Sequence, residues 1–512
     1  MNVALRVVVG LALLIVLLIG GAILWADWNY ARLYGGHSPL VDRSEFQSEA
    51  VPTLIKNVSV LSRDGEVMTG PSDVFIENGI IKSVGPGLTP KPASEKVKII
   101  DGTGQYLIPS LTDAHVHIGR RENDLLLYLA NGVTQVRELS GSQHNLKMRE
   151  QTNADHAGPD LYIASTKVFS DEGVARFIGE RLYPRINAAS AAEARRLAKS
   201  IAEDGYDAIK VSGFATREVY DALIEASAEL DLDVIGHLNQ ETGLEGLKGG
   251  SQRDLAHIEE LLKGLRIEYE DHKTNGADDF LAHVRERADS VGQFLKENNI
   301  SVTTTVWLIG SVVKQKFALE EVLSNVELEY VDVASLEGCM LEVGWLPGCN
   351  LYEPSVEERA DPERLERSKR RWEMWTEGNY IFVDALNRAD VSLLAGTDVG
   401  VPVVVPGFSI HDELEALSRT LTNAQALRVA TATPGRWLDN NTGIVATNYR
   451  ANLLLLEENP LENITATRQI TSVFKDGVQY DRQTLDEMLA AVAKVNNEKR
   501  SRSIDQYLLI RP

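Results

Sequence analysis

Apolar positions along the chain fall into three regimes. The first is an uncharged run from Val7 to Trp25, preceded by Arg6 and followed by Trp28 and Tyr30. About 20 apolar residues in a helix span a bilayer core, and Trp and Tyr favour its interfaces. Residues 1–31 therefore read as an uncleaved membrane anchor. The competing reading is a cleaved signal peptide, whose apolar part is usually about 7–15 residues, and Gly20, Gly21 and Ala22 offer a small-residue cleavage site. Either way the bulk of the chain is expected outside the cytoplasm, with the short end bearing Arg6 inside. Residues 32–51 are polar, carry Gly35, Gly36 and Pro39, and read as a linker.

The second regime is short strands, and it occurs at both ends of the remaining chain. Leu54–Leu61 reads as a strand, and residues 74–84 as a hairpin turning at Asn78-Gly79, a pair suited to a type I′ turn. Residues 452–457 and 470–480 repeat the pattern, with Asp476-Gly477 at the second turn. Lone short strands cannot bury a face, so residues 52–108 and 434–482 are expected to combine into one composite β-sandwich. The third regime, residues 109–433, alternates strand and helix. Apolar runs end at His117, Glu138, Ser165, Lys210, His237, His257, Val306 and Asp398, and helical periodicity fills most intervals. Eight such units predict an α/β fold, a (β/α)8 TIM barrel, followed by a C-terminal helix and tail over 483–512. Ser190 with Glu193 forms a capping-box signature, and Thr216 is a plausible N-cap. The interval from His257 to Asp398 is longer than two units need. Residues 317–367 are expected to pass over the barrel mouth, with a charged helix returning over 367–389.

Composition narrows the classes. At 512 residues the chain exceeds a single compact core and must be divided. Its 52 Lys plus Arg against 74 Asp plus Glu give a net charge of −22, which argues against a nucleic-acid partner. The two cysteines, Cys339 and Cys349, exclude a disulfide scaffold and any zinc ribbon of four thiolates. They either bond to each other or remain free thiols. A metal must be held by histidines and carboxylates.

Residues at i and i+2 of a strand face one side, so His115 and His117 point together into the barrel. Alone, such a pair is equally well two incidental polar groups. Recurrence changes this: Lys210, His237, His257 and Asp398 each close a strand, so four of the ten histidines occupy one structural station. The physical reading is a site for two divalent ions about 3.5–4 Å apart that share a hydroxide. Lys210 suits it if burial strips its proton and the amine takes up CO₂ as a bridging carbamate. Its plainer role is an ammonium paired with Asp398.

These motifs resemble the amidohydrolase superfamily, in particular its imidazolonepropionase-like and dipeptidase-like metal-dependent hydrolases. The resemblance runs from about Leu54 to Leu485. It rests on His115-Val116-His117, on Asn131-Gly132-Val133-Thr134-Gln135-Val136-Arg137, and on Ile209-Lys210-Val211. Ile235-Gly236-His237, Ala256-His257-Ile258-Glu259, Gly396-Thr397-Asp398 and Ala430-Thr431-Ala432-Thr433-Pro434-Gly435 continue it. It implies that His115 and His117 bind the more buried metal beside Asp398, that carboxylated Lys210 bridges, and that His237 and His257 bind the second. Asp398 is then the catalytic proton carrier. Zn²⁺ heads the metals implied, although Mn²⁺, Co²⁺ and Fe²⁺ accept similar ligands. Glu138, where Asp is usual, and Asn452, where Ala-Asp-Leu is usual, depart from the pattern outside the ligand positions.

Other residues carry weaker expectations. His411 and Glu413 read as structural or supporting, and His144, His156, His272 and His283 as solvated surface groups. Arg176 and Arg181 are candidates for a substrate carboxylate, and 364–371 reads as a solvated helix face. No Gly-Xaa-Ser-Xaa-Gly elbow, phosphate loop or His-Glu-Xaa-Xaa-His helix occurs. The expected function is hydrolysis of an amide-type C–N bond in a small molecule. Ester, lactone or phosphotriester hydrolysis is the alternative within catalysis, and a metal-free binding or scaffold protein is the alternative outside it. The chain leaves the substrate, the metal and the oligomeric state open.

Overall fold

The computed structural model describes residues 3–89, 96–154, 156–183, 185–269, 276–339 and 344–508. Eight parallel strands form the barrel in chain order: Leu111–Val116, Val133–Gly141, Asp160–Ser165, Ala208–Val211, Asp233–Gly236, Asp254–Leu255, Ser301–Thr303 and Leu393–Leu394. The ring closes between the first and last of these. Ala114 N–H donates to the Ala395 carbonyl, Asp398 N–H to His115 and His117 N–H to Val399, each at 2.8 Å. Small or branched side chains fill the interior, among them Ala114, Ala164, Ala208, Ile235, Ala256 and Leu394. Helices cover the outside. Ser190 accepts from Glu193 N–H at 3.3 Å, but the Glu193 carboxylate turns to Ala189 N–H and Arg176, so the capping box is half formed. Thr216 caps Arg217–Leu230.

The two strand-rich ends meet in a second, eight-stranded sheet. Both hairpins turn where expected, with φ of +54° and +74° at Asn78 and Gly79 and +50° and +76° at Asp476 and Gly477. The element joining the ends is the strand Tyr106–Pro109, which pairs parallel with Ser59–Val60 and antiparallel with Leu453–Leu456. The sheet curls around Ile55, Val58, Val74, Leu107, Leu453 and Phe474 until Ile80 bridges Arg450.

Val3–Leu33 is a helix, and Val9–Leu33 is long and apolar enough to cross a membrane. Its C-terminal end is fastened to the barrel. Leu33 is buried, Arg120 N–H donates to the Tyr34 carbonyl at 2.7 Å, and Arg181 pairs with Asp27 at 3.0 Å. The segment expected as a linker over 32–51 is correspondingly not a free tether. Buried Arg43 donates to Thr152 Oγ1 at 3.1 Å and to the Ala157 carbonyl at 2.9 Å, and Val41 N–H donates to Asn123 Oδ1 at 2.9 Å. A guanidinium with such partners holds polar chain against the body where composition alone indicates slack.

The insertion after the seventh strand consists of short helices followed by the long helix Pro362–Arg388. Cys339 and Cys349 are disulfide-bonded, with Cα atoms 4.8 Å apart. Leu336, Trp345 and Leu346 of this insertion pack with Val403 and Val405, in the segment that follows Asp398.

Candidate active site

Close backbone approaches bring the strand ends together. A Cβ on Gly396 would lie 2.5 Å from Thr303 Cγ2 and 2.8 Å from His115 Cβ, so only glycine lets the last strand seat against the first. Gly236 has φ +133°, and a Cβ there would lie 2.4 Å from the Val211 carbonyl oxygen. Asp398 itself adopts φ +61°, a left-handed conformation that Asp tolerates better than most residues.

The six strand-end residues share one rim, and the tightest part is a triangle. His115 Nε2 and His117 Nε2 are 3.2 Å apart, and Asp398 Oδ1 lies 3.2 Å from each. Lys210 Nζ is 3.5 Å from His115 Nε2. The His257 ring sits 4.4 Å from that of His115, with Nε2 4.0 Å from Asp398 Oδ2. His237 is outermost, its ring 5.2 Å from that of His257.

Neighbours orient these rings. His115 Nδ1–H donates to the Ala256 carbonyl at 2.8 Å, which leaves Nε2 with its lone pair facing the triangle. Thr305 Oγ1 lies 3.4 Å from His257 Nδ1. Glu138 accepts from Ile118 and Ser140 N–H groups, and its Oε1 lies 3.5 Å from His117 Nδ1 without hydrogen-bond geometry. The departure noted at Glu138 thus stands directly behind His117. Asp113 ties the first strand to the last, accepting from Thr397 Oγ1 at 2.6 Å and Thr397 N–H at 3.0 Å.

Burial sets the charge state. It holds the imidazoles of His115, His237 and His257 well below the usual histidine range, so these rings are neutral at pH 7. Burial, reinforced by the Lys167 ammonium, likewise lowers Lys210 well below the usual lysine range and favours its free amine. Among the described residues Lys210 forms no ion pair with Asp398, so the plainer role for it is not adopted. Burial works to raise the Asp398 carboxyl, yet the group stays well below the usual carboxylate range, with a hydrogen bond from His117 among the causes.

Neutral imidazoles, a free amine and a carboxylate form a donor set for borderline divalent ions. Two donors at about 2.0–2.1 Å from a tetrahedral Zn²⁺ stand about 3.3 Å apart, which the 3.2 Å triangle matches. The ring nitrogen His237 Nδ1 is buried with no hydrogen-bond partner. The residues present therefore fit divalent ions.

His237 also borders a cavity of about 480 Å³ over the rim. Its walls include Phe169, Phe214, Tyr352, Trp372 and Trp375, with Lys167, Lys263, Arg266 and Arg371 as cations. Reasoning from strand ends missed these walls. The one available signal was the alternation of aromatic and basic residues at Arg371-Trp372 and Trp375. The solvated face expected over 364–371 holds: Arg371 is exposed while bordering the cavity, and half-exposed Arg370 pairs with exposed Asp278.

The weaker candidates resolve as follows. Arg176 pairs with Glu180 and Glu193 and Arg181 with Asp27, so neither is left for a substrate carboxylate. His411 is buried between Thr467 Oγ1 at 2.9 Å and the Asn131 carbonyl at 3.1 Å, a structural role away from the rim, whereas Glu413 accepts from Val306 and Trp307 N–H and braces the rim. Of the expected surface histidines, His144 pairs with Glu122 at 3.2 Å and His283 stacks on Tyr269. His272 lies outside the described residues.

The fold is shared with solved amidohydrolases, as the motif resemblance implies. No protein-family model matches the chain. Bottromycin amidohydrolase superposes with a TM-score of 0.66 at 20% identity, covering 92% of this chain and 96% of that one. A prolidase complexed with N-methylphosphonate-L-proline gives a TM-score of 0.61 at 15% identity, covering 85% and 100%. Among curated sequences, dihydroorotase from Trichlorobacter lovleyi is 44% identical over 46 residues, 9% of this chain. That match spans only 10% of the relative's length.

Proposed function

We propose that this protein is a metal-dependent hydrolase that cleaves an amide-type C–N bond in a small molecule. The observation that carries the reading is the 3.2 Å triangle of His115, His117 and Asp398 beside the uncharged Lys210 amine and the neutral His257 ring. His115, His117 and Asp398 would hold one ion and His237 and His257 a second, with Lys210 as its carbamate between them. That carbamate forms when the amine nitrogen adds to the carbon of CO₂ and loses a proton. Bound there, divalent ions supply Lewis acidity and lower the pKa of water.

The chain's own residues do the rest. The Asp398 carboxylate accepts a proton from the attacking water and returns it to the leaving nitrogen, so one residue serves as base and then acid. The aromatic walls exclude water and seat the apolar part of the substrate. Arg266, whose pKa is lowered by burial and by the neighbouring Arg371, faces the same space. Two guanidiniums without a carboxylate partner among the described residues suit an anionic end on the substrate. Residues 109–433 form the catalytic unit, with 52–108 and 434–482 as its supporting sheet. Residues 9–33 anchor it on the extracytoplasmic face of a membrane.

Elemental analysis of the gently purified full chain, coupled to turnover of dipeptides, N-acyl amino acids and cyclic amides, tests this reading. About two equivalents of transition metal, amide products and loss of activity on chelation are expected. Less than one equivalent favours the scaffold alternative, and turnover confined to esters, lactones or phosphotriesters moves the assignment to that class.

A further inference from the structure

The anchor helix leaves the barrel from its reactive end. Tyr34, one residue beyond the helix, accepts a hydrogen bond from Arg120 N–H, three residues past His117. Ser335 Oγ, in the insertion over the mouth, donates to the Leu33 carbonyl. Beside the anchor lies the helix Gly173–Leu182, from the loop after the third strand, packed on it and joined by the Arg181–Asp27 ion pair.

That second helix is amphipathic in an unusual direction. Val174 is 74% exposed, Phe177 49% and Ile178 48%, while only Gly179 of the helix is fully buried. Phe214, 69% exposed, stands at the cavity lip, where it stacks on Phe169 at 6.5 Å between ring centroids. Trp25 and Trp28, exposed on the anchor, stand where interfacial aromatics of a spanning helix are expected. Large apolar side chains left in water on one side of a rim, next to the helix that enters the membrane, are covered most simply by that membrane.

We infer that the bilayer surface covers this patch: Val174, Phe177, Ile178 and Phe214 dip into the interface, and the active-site mouth faces the membrane rather than the bulk solution. The inference rests on residues 9–33 spanning the membrane and is independent of the chemistry at the rim. The occupant is the bilayer that holds the anchor, because a tether this short and this firmly fastened keeps the patch within reach of the head groups. The cavity then opens at the depth where the polar parts of amphiphiles lie.

The test uses the full chain in phosphatidylcholine–phosphatidylglycerol nanodiscs, with an environment-sensitive NBD label on Phe177→Cys, and on Asp390→Cys at the opposite end of the barrel. Lipids carrying a nitroxide near the head group should quench the label at 177 by more than half and shift its emission to the blue. The label at 390 should be unaffected. Val174→Cys repeats the measurement should Phe177→Cys fold poorly. Equal quenching at 177 and 390 overturns the inference alone. Failure of the unlabelled chain to enter nanodiscs overturns the anchor and the inference together.

Discussion

At the floor of the barrel, fully buried Arg137 and Asp254 meet at 2.6 Å, and Ser301 and Thr303 hydroxyls donate to the same carboxylate at 2.7 and 3.0 Å. The Trp437 ring lies between the guanidiniums of Arg137 and Arg253, 4.1 and 3.9 Å from its centroid. At the mouth, other strands of the barrel carry Lys210, which forms no ion pair among the described residues, and lead into His237 with an unpartnered ring nitrogen. The floor pairs its buried Arg137 cation with a carboxylate, although Arg137 Nε and Nη1 lack hydrogen-bond partners, whereas burial at the mouth works against protonation of its bases. One end is built to persist and the other to bind.

The largest test of that contrast is Asp398→Asn. Removing the proposed proton carrier is expected to lower kcat by about 10³-fold or more while at least one metal equivalent stays bound. Near-normal turnover would move proton transfer to another group. At the floor the loss should fall on stability. Asp254→Asn leaves the Arg137 cation buried without its partner, a cost of about 3–5 kcal/mol in urea unfolding, with kcat of the folded enzyme changed less than about twofold. Lys210→Met inverts this pattern: among the described residues its side chain forms no ion pair to lose, so the metal-free protein should keep its stability within about 1 kcal/mol while activity collapses.

Acid provides the next test. Burial lowers the His411 pKa to about 3, against about 6.5 in the unfolded chain. As pH falls the unfolded state takes the proton first, so this contribution is complete above pH 6.5 and is lost progressively towards pH 3. Between pH 7.5 and 5.0, His411→Gln should therefore lose about 2 kcal/mol less than the unaltered protein, measured on metal-free samples. The smallest expected effect is Thr216→Ala, which removes the N-cap of Arg217–Leu230 and should cost about 1 kcal/mol without changing metal content.

What could be read in the chain was set by local chemistry. Strand ends at His117, Lys210, His237, His257 and Asp398 were legible because an apolar run ending in a polar ligand is visible within a few residues. The hairpins at Asn78-Gly79 and Asp476-Gly477 were legible because φ > 0 restricts the residue types. The strand Tyr106–Pro109 was not, since four residues ending in proline have no periodicity to detect and gain their place from partners at Ser59 and Leu455. Nor were the cavity walls. Arg266 and Arg371 come from helices about a hundred residues apart, and only tertiary packing turns them to one space. Arg43 likewise reads as loose polar chain until its guanidinium finds the Ala157 carbonyl.

The bonds that shut the ring, from Asp398 to His115 and from His117 to Val399, involve the very residues proposed to do the chemistry. An incompletely synthesised chain can carry its histidine pair early, yet it has no acid beside them until nearly four-fifths of the polypeptide has emerged. On the proposed reading, maturation and reactivity are the same event: the last barrel strand to arrive is also the one that brings the acid.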